Sequence, residues 1–276
     1  MYPDALAALT CPGHPDDLLQ LVGATSYDDN GALHTGSLRC LTCGRSYAVR
    51  DGIADLLGSA ILSSPAQLTN ALPLTAWAYE RTWRPRALTV LSGEEFGYAR
   101  ELPLIMEMLA PQRGGLFVDI ACSNGLYARA ISKALGSQPG AVVGIDHSLP
   151  MLQEARTIAH REQLRISYVR ASAQALPFAR RAATGVAMGG SLNEIGDAPQ
   201  ALREMRRVLA DNGRGALMNL VRSSSTPGAA LQSVLGLGGI DFLPLPALND
   251  ALQQSGLRIV QQEQHGVVVF SQLAPV

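Results

Sequence analysis

Lysine is almost missing from this 276-residue chain. Lys133 is the sole one, and the formal net charge is −1 with a pI near 6.5. No overall positive field draws the molecule to nucleic acid or to an anionic bilayer, although arginines can still build a local patch. The Gly-Lys-Ser/Thr phosphate loop is also missing, which argues against an NTPase. The N-terminal run MYPDALAALT has an acid and no basic residue ahead of its short apolar stretch, so no secretory signal is expected there. The long uncharged stretch at residues 223–240 is too rich in serine and glycine for a membrane span. These absences predict a cytoplasmic protein without a membrane span, with length enough for one large domain and a small one.

Only four cysteines are present, and three of them fall in the first fifth of the chain. CPGH places two residues between Cys11 and His14, and CLTC does the same for Cys40 and Cys43. Two such knuckles separated by a hairpin's length, here with a polar DDNG turn at 28–31, can bring four ligands tetrahedrally around zinc. A segment with too little core of its own gains its fold from such a metal. The alternative is a metal-free ribbon that keeps its shape through Leu38, Tyr47 and Ile53. Cys122, the fourth cysteine, reads as a small core residue rather than a nucleophile.

Residues 58–74 have a linker composition, so a small N-terminal ribbon-like β domain (1–57) is expected ahead of a larger domain (75–276). In the larger domain strand-like and helix-like stretches alternate. LFVDIAC (116–122), AVVGID (141–146), RISYVRA (165–171), GVAMGGS (185–191) and RGALMNLV (214–221) read as strands. NGLYARAISKALG (124–136), SLPMLQEARTIAHR (148–161, with Ser148 as N-cap) and PQALREMRRVLADNG (199–213) read as helices. PALNDALQQSG then forms a helix, followed by two closing strands around a His265-Gly266 turn. This pattern predicts a doubly wound α/β fold: a seven-stranded, mainly parallel sheet covered on both faces, with an antiparallel edge. His160 is expected at the surface.

A ligand in such a sheet lies beyond the carboxyl ends of the strands, where strand order reverses. That rule gathers VDIACSNG (118–125), Asp146 and the ASAQALPF segment (171–178). Small residues from Ala121 to Gly125 let backbone approach a ligand, and a carboxylate at 146 can accept both hydroxyls of a ribose.

At these residues the chain resembles the class I S-adenosylmethionine-dependent methyltransferases. The resemblance covers roughly residues 75–275 and is carried by VDIACSNG, GIDHSLPML with its D-x-S-x-x-M pattern, ASAQALPF and EMRRVLADNGRG. The whole chain is similar to a plastid and bacterial group related to ubiquinone/menaquinone methyltransferases, in which a cysteine ribbon precedes a Y-E-R-x-W-R segment. Here these read CPGH, LRCLTCGRSYAVRDGI and YERTWR. The resemblance implies S-adenosylmethionine as cofactor. Asp119 with Ala121, Ser123, Asn124 and Gly125 would hold its methionine portion, and Asp146 its ribose. His147 and Met151 would flank the adenine, Ser172 and Ala173 would meet its edge, and Gly189 would lie beside the transferring methyl.

The family usually carries E/D-x-G-x-G-x-G where this chain has D-x-A-x-S-N-G. Alanine and serine cost little there if their φ angles are negative, and strain is expected if position 123 needs φ > 0. Ser172 replaces an acid that accepts the adenine amine, which should weaken the site. Methyl transfer from a sulfonium needs mainly in-line alignment and exclusion of water, with a base only as the acceptor demands. Asn193 and Glu194, at the end of the fourth strand, and Tyr79, in YERTWR, are the polar candidates for catalysis. Each also fits a plain structural role.

Residues 223–246 are apolar and nearly uncharged, suiting a lid over a lipophilic small molecule such as a quinone, phenol or polyketide. An ordinary helix with flanking loops fits equally. A second reading is a ribosomal-RNA guanine-N1 methyltransferase, which the ribbon also resembles. However, residues 1–57 set seven aspartates (4, 16, 17, 28, 29, 51 and 55) against Arg39, Arg45 and Arg50, the wrong sign for phosphate. A third is a non-catalytic binding protein with a degenerate cofactor loop. Whether the chain forms a homo-oligomer stays open.

Overall fold

The computed structural model describes residues 1–57, 89, 91–237 and 239–276. The expected linker and the YERTWR segment with Tyr79 lie outside the described residues. The chain opens with a one-turn helix α1 (Pro3–Leu6) and six short strands: β1 (Thr10–Cys11), β2 (His14–Leu18), β3 (Gln20–Tyr27), β4 (Leu33–Arg39), β5 (Ser46–Arg50) and β6 (Ile53–Asp55). After α2 (Tyr98–Leu109) the expected alternation follows: β7 (Gly115–Ile120), α3 (Leu126–Leu135), β8 (Gly140–Asp146), α4 (Leu149–Arg161), β9 (Ser167–Arg170), β10 (Ala183–Gly189), α5 (Ala198–Val208) and β11 (Leu209–Leu220). The chain closes with α6 (Thr226–Gly236), α7 (Leu245–Gln254), β12 (Leu257–His265) and β13 (Val268–Pro275).

The seven strands foreseen for the larger domain lie in the order β12-β13-β11-β10-β7-β8-β9. β7 to β11 run parallel, and β13 pairs antiparallel with both β11 and β12. The sheet does not stop there. β6 adds in parallel to β9, and β5, β4 and β3 continue outward, giving one eleven-stranded sheet. One hydrophobic cluster joins Leu9, Leu33, Leu38 and Val49 with Val118, Val143, Val169 and Phe178, so the N-terminal strands share the core of the larger sheet. A separate small ribbon-like domain was the sequence expectation. Backbone pairing at Ile53↔Tyr168 and Asp55↔Arg170 fuses the two, and Arg170 Nη1 donates to Asp55 Oδ2 at 2.9 Å across that seam.

Local rules account for the elements. Ser148 caps α4 as foreseen, its hydroxyl accepting from Met151 N–H, and Asp197 caps α5 through Gln200 N–H. The helix expected over 199–213 ends at Val208. Leu209, fully buried, already pairs with Ala183 in the sheet, so ADNG belongs to a bulged strand start.

Candidate active site

Strand order reverses between β7, which leads on to β8, and β10, which leads on to β11. The crevice beyond these two carboxyl ends is where an open α/β sheet takes its ligand. A hollow is present there, lined by Asp119, Ala121, Cys122, Ser123, Asn124, Leu126, Tyr127, Gly189 and Ser191. Five of the residues expected to meet the cofactor, Asp119, Ala121, Ser123, Asn124 and Gly189, therefore border one hollow.

The loop that forms this wall is tacked down at both ends. Cys122 N–H donates to Ile145 O of β8 at 2.9 Å, and Gly125 N–H to Cys122 O at 2.8 Å. Ala121, Ser123 and Gly125 all have left-handed backbone, with φ of 52°, 51° and 78°. The two non-glycine residues thus sit where family members carry glycine, and the cheap alternative of negative φ is overturned. The alternation turns Ser123 N–H onto Asp146 Oδ2 at 2.8 Å, one bond that holds the strained shape. Gly125 is irreplaceable for a second reason, since a Cβ there would lie 2.8 Å from Tyr168 Oη, which is buried. Ser123→Gly should relieve a left-handed serine at the loss of one long contact from its hydroxyl to Met151 Sδ. We expect about 1 kcal/mol of added stability in urea unfolding, and a destabilised variant would show that the loop carries no such strain.

Asp119 is fully desolvated and accepts from Ala128 N–H at 2.9 Å, which caps the first turn of α3. Burial pushes its carboxyl up to about 7; that N–H opposes the rise and the neighbouring Asp146 adds to it. Burial likewise pushes the Cys122 thiol far up, consistent with an inert core cysteine.

Asp146 is buried, and each of its oxygens accepts a backbone N–H, from Ser148 and from Ser123, both at 2.8 Å. In this structure it organises the loop, leaving a second lone pair on each oxygen. His147 Nδ1 lies 3.6 Å from the same carboxylate, and Met151 packs beneath Ser123. Ser172 closes a turn on itself: its hydroxyl donates to Gln174 Oε1 at 2.5 Å and accepts from Gln174 N–H. Ala173 is half-buried in the same turn.

The candidate catalytic residues fare unevenly. Asn193 is buried and spent on backbone. Its Nδ2 donates to Leu220 O and Asp241 O, and its Oδ1 accepts from Leu220 N–H. Because Asp241 N–H also returns to Asn193 O, this side chain ties together both ends of the 221–241 excursion. Glu194 is half-buried and its N–H turns back to Ser191 O. Neither residue lines the hollow.

Two features escaped sequence reasoning. Glu204 and Arg207, from EMRRVL, clamp the ASAQALPF segment: Glu204 accepts from Leu176 N–H at 2.7 Å, and Arg207 donates to Leu176 O and Phe178 O as well as to Glu204. Tyr127, on the pocket wall, donates from its phenol to Glu101 Oε1 at 2.5 Å. A signal for the second existed, because Glu101 falls on the same helical stripe as Ile105, Met108 and Leu109, all buried.

At the far edge of the sheet the β1–β2 turn carries Cys11 and His14, and the β4–β5 turn carries Cys40 and Cys43. Their four ligand atoms lie within 4.8 Å of one another, with Cys11 Sγ 4.0 Å from Cys43 Sγ and Cys40 Sγ 3.8 Å from His14 Nδ1. A tetrahedral zinc with bonds of about 2.3 Å to sulfur separates its ligands by roughly 3.8 Å.

Comparison with known proteins agrees with this geometry. Residues 117–213 match the family described as Methyltransferase domain. An uncharacterized chloroplastic methyltransferase of Arabidopsis thaliana is 29% identical over 211 residues, which is 71% of this chain and 58% of that protein. A 2-phytyl-1,4-naphtoquinone methyltransferase of Thermosynechococcus vestitus is 34% identical over 117 residues, 42% of this chain and 51% of that protein. The chain thus spans little more than half the length of these relatives. Among solved structures, the [4+2]-cyclase SpnF superposes with a TM-score of 0.59 at 15% identity, covering 80% of this chain and 99% of that one. Geranyl diphosphate C-methyltransferase from Streptomyces coelicolor A3(2) gives 0.56 at 13% identity, covering 64% and 76%. Such distant likenesses speak for the fold alone, and a cyclase on it shows that fold does not fix chemistry. Residues 117–213 are thus a methyltransferase domain, and the strand order and the hollow at the switch point are those of the class I, Rossmann-like fold.

Proposed function

We propose that this protein transfers a methyl group from S-adenosylmethionine to a lipophilic aromatic acceptor of the quinol or phenol class. The observation that carries the reading is the acid-lined hollow at the switch point, where Asp119 and the 121–125 loop face Gly189 and Ser191. A buried carboxyl with a second one nearby favours a cation, and the donor carries a sulfonium and an ammonium. Its methionine end would lie against Asp119 and Asn124, its ribose against the free lone pairs of Asp146, and its adenine between His147 and Met151, beside Ser172 and Ala173. The donor supplies an already activated methyl group. The chain's task is to align the acceptor and keep water out.

The acceptor class draws on the relatives, two of which are named for 2-phytyl-1,4-naphthoquinone and for demethylmenaquinone. The nearly uncharged 223–246 excursion, gathered at its neck by Asn193, is a suitable apolar lid for such a molecule. The acidic balance of residues 1–57 disfavours RNA. No described helix is long and apolar enough to cross a membrane. Calorimetric titration with S-adenosylhomocysteine tests the reading, with mass-spectrometric detection of one added methyl on demethylated naphthoquinols. No uptake at millimolar ligand would refute it.

Cys11, His14, Cys40 and Cys43 fit a structural zinc by donor type and spacing. Because this edge shares the core of the large sheet, metal removal should weaken the whole chain rather than release a module. We expect about one zinc per chain, and a fall in melting temperature of about 10 °C or more with chelator or in Cys40→Ser. Protein that folds equally well with no bound zinc would establish the metal-free ribbon instead.

A further inference from the structure

Tyr127 and Glu101 form a buried acid–phenol pair at the wall of the hollow. Tyr127 lies on α3 just after the cofactor loop, and its ring packs closely against the end of β10, since a Cβ on Gly189 would come 2.7 Å from it. The ring forms part of the pocket wall next to Gly189 and Ser191, while its hydroxyl donates at 2.5 Å to Glu101 Oε1 on α2. Glu101 itself is fully buried, on an otherwise aliphatic helix face. An ordinary packing role for Tyr127 is met by its ring alone, and a carboxyl beneath its phenol adds desolvation cost to the fold. A short hydrogen bond from a pocket-wall phenol to a buried carboxyl is the arrangement of a proton relay.

The geometry points to Tyr127 as a catalytic residue and Glu101 as the proton store behind it, together removing the hydroxyl proton of a phenolic acceptor as its ring carbon is methylated. This rests on the donor reading above and names what the same site does to the acceptor. The acceptor O–H bond breaks, its proton passes to Tyr127 Oη, and the Tyr127 proton moves to Glu101 Oε1. The phenolate electron pair, delivered through the ring, forms the new C–CH3 bond, and the S–CH3 pair stays on sulfur to leave a neutral thioether. The methylated carbon then loses its hydrogen to water as aromaticity returns. Glu101 sends its proton back through Tyr127 to the oxygen, so one proton is released per methyl transferred.

A relay and a packing role differ in how they depend on the acceptor's acidity. Tyr127→Phe keeps the ring and loses the proton path. Glu101→Gln keeps a hydrogen-bond acceptor and loses the base. With a weakly acidic naphthol, kcat in both variants should fall about 100-fold. With a strongly acidic nitro-substituted phenol, which reaches the site already ionised, the defect should shrink to within a few-fold. Independently of turnover, infrared difference spectra of the wild-type protein with S-adenosylhomocysteine and the nitrophenol at a pH below the probe's own ionisation should show a new protonated-carboxyl band. That band should be missing in Glu101→Gln. An equal defect across all acceptors, or no carboxyl band in the wild type, overturns the relay. Wild-type protein that takes up no S-adenosylhomocysteine removes the donor reading itself, which is a separate failure.

Discussion

Arg207→Met should cost about 3 kcal/mol in chemical denaturation and weaken S-adenosylhomocysteine uptake at the same time. The guanidinium serves four acceptor atoms: both Glu204 oxygens and the Leu176 and Phe178 carbonyls, at 2.6 to 2.8 Å. Glu204 and Arg207 are both largely buried, with side chains 11% and 14% exposed. Removing the arginine leaves a buried carboxylate with Leu176 N–H as its remaining donor among the described residues and strands two carbonyls, the expensive way to break a buried pair. Stability and binding are coupled here because the clamped segment begins at Ala171, whose N–H donates to Asp146 O, and holds Ser172 and Ala173 at the expected adenine edge. Glu204→Met combined with Arg207→Met should recover part of the loss, because both charges leave together. A double variant as costly as the sum of the singles would show that the pair acts only by filling space.

This clamp explains why two separated stretches of sequence, ASAQALPF and EMRRVL, go together, yet nothing in either stretch announces the contact. The strands and helices of the larger domain were readable because each has the right period and a cap or glycine stop, as at Ser148 and Gly136. Asp119 and Asn124 were readable as lining a ligand crevice because the crossover rule singles out the end of their strand, whereas Gly189 was reached only through the family resemblance. What stayed hidden was set by pairing over long sequence separations. β6 is three residues long and becomes a strand only by joining β9, so no local pattern reveals that the cysteine-bearing edge continues the main sheet. Backbone sign at Ala121 and Ser123 is likewise set by where Ile145 O and the Asp146 carboxylate accept the loop amides. Asn193 carries the look of a catalytic amide from its position after β10, and only the carbonyls of Leu220 and Asp241 reveal that it gathers the neck of the 221–241 excursion.

Asp119→Asn should make the ligand-free protein more stable at pH 8 and nearly abolish its response to the donor. The carboxyl's ordinary value is 3.8, and burial raises it to about 7 in the fold. The folded chain therefore holds this proton more tightly than the unfolded chain does. The sign follows directly: below about pH 4 both states are protonated and no penalty exists, then stability falls as pH rises towards 7 and stays low above it. A shift of that size corresponds to an upper limit of about 4 kcal/mol, which solvent and structural relaxation will reduce. Asparagine can still accept from Ala128 N–H, so the cap on α3 survives the substitution. The wild-type melting temperature should slope downward between pH 4 and 7 more steeply than that of the variant, and curves of equal slope would show that Asp119 does not titrate there. A cation placed in the hollow should reverse this cost by favouring the ionised carboxyl, so S-adenosylmethionine binding near pH 7 should release a proton, seen as a binding enthalpy that varies with the buffer. The apo site is thus held in an unfavourable charge state by its own burial, and that stored repulsion between Asp119 and Asp146 becomes selectivity for the positively charged donor over its neutral-sulfur product.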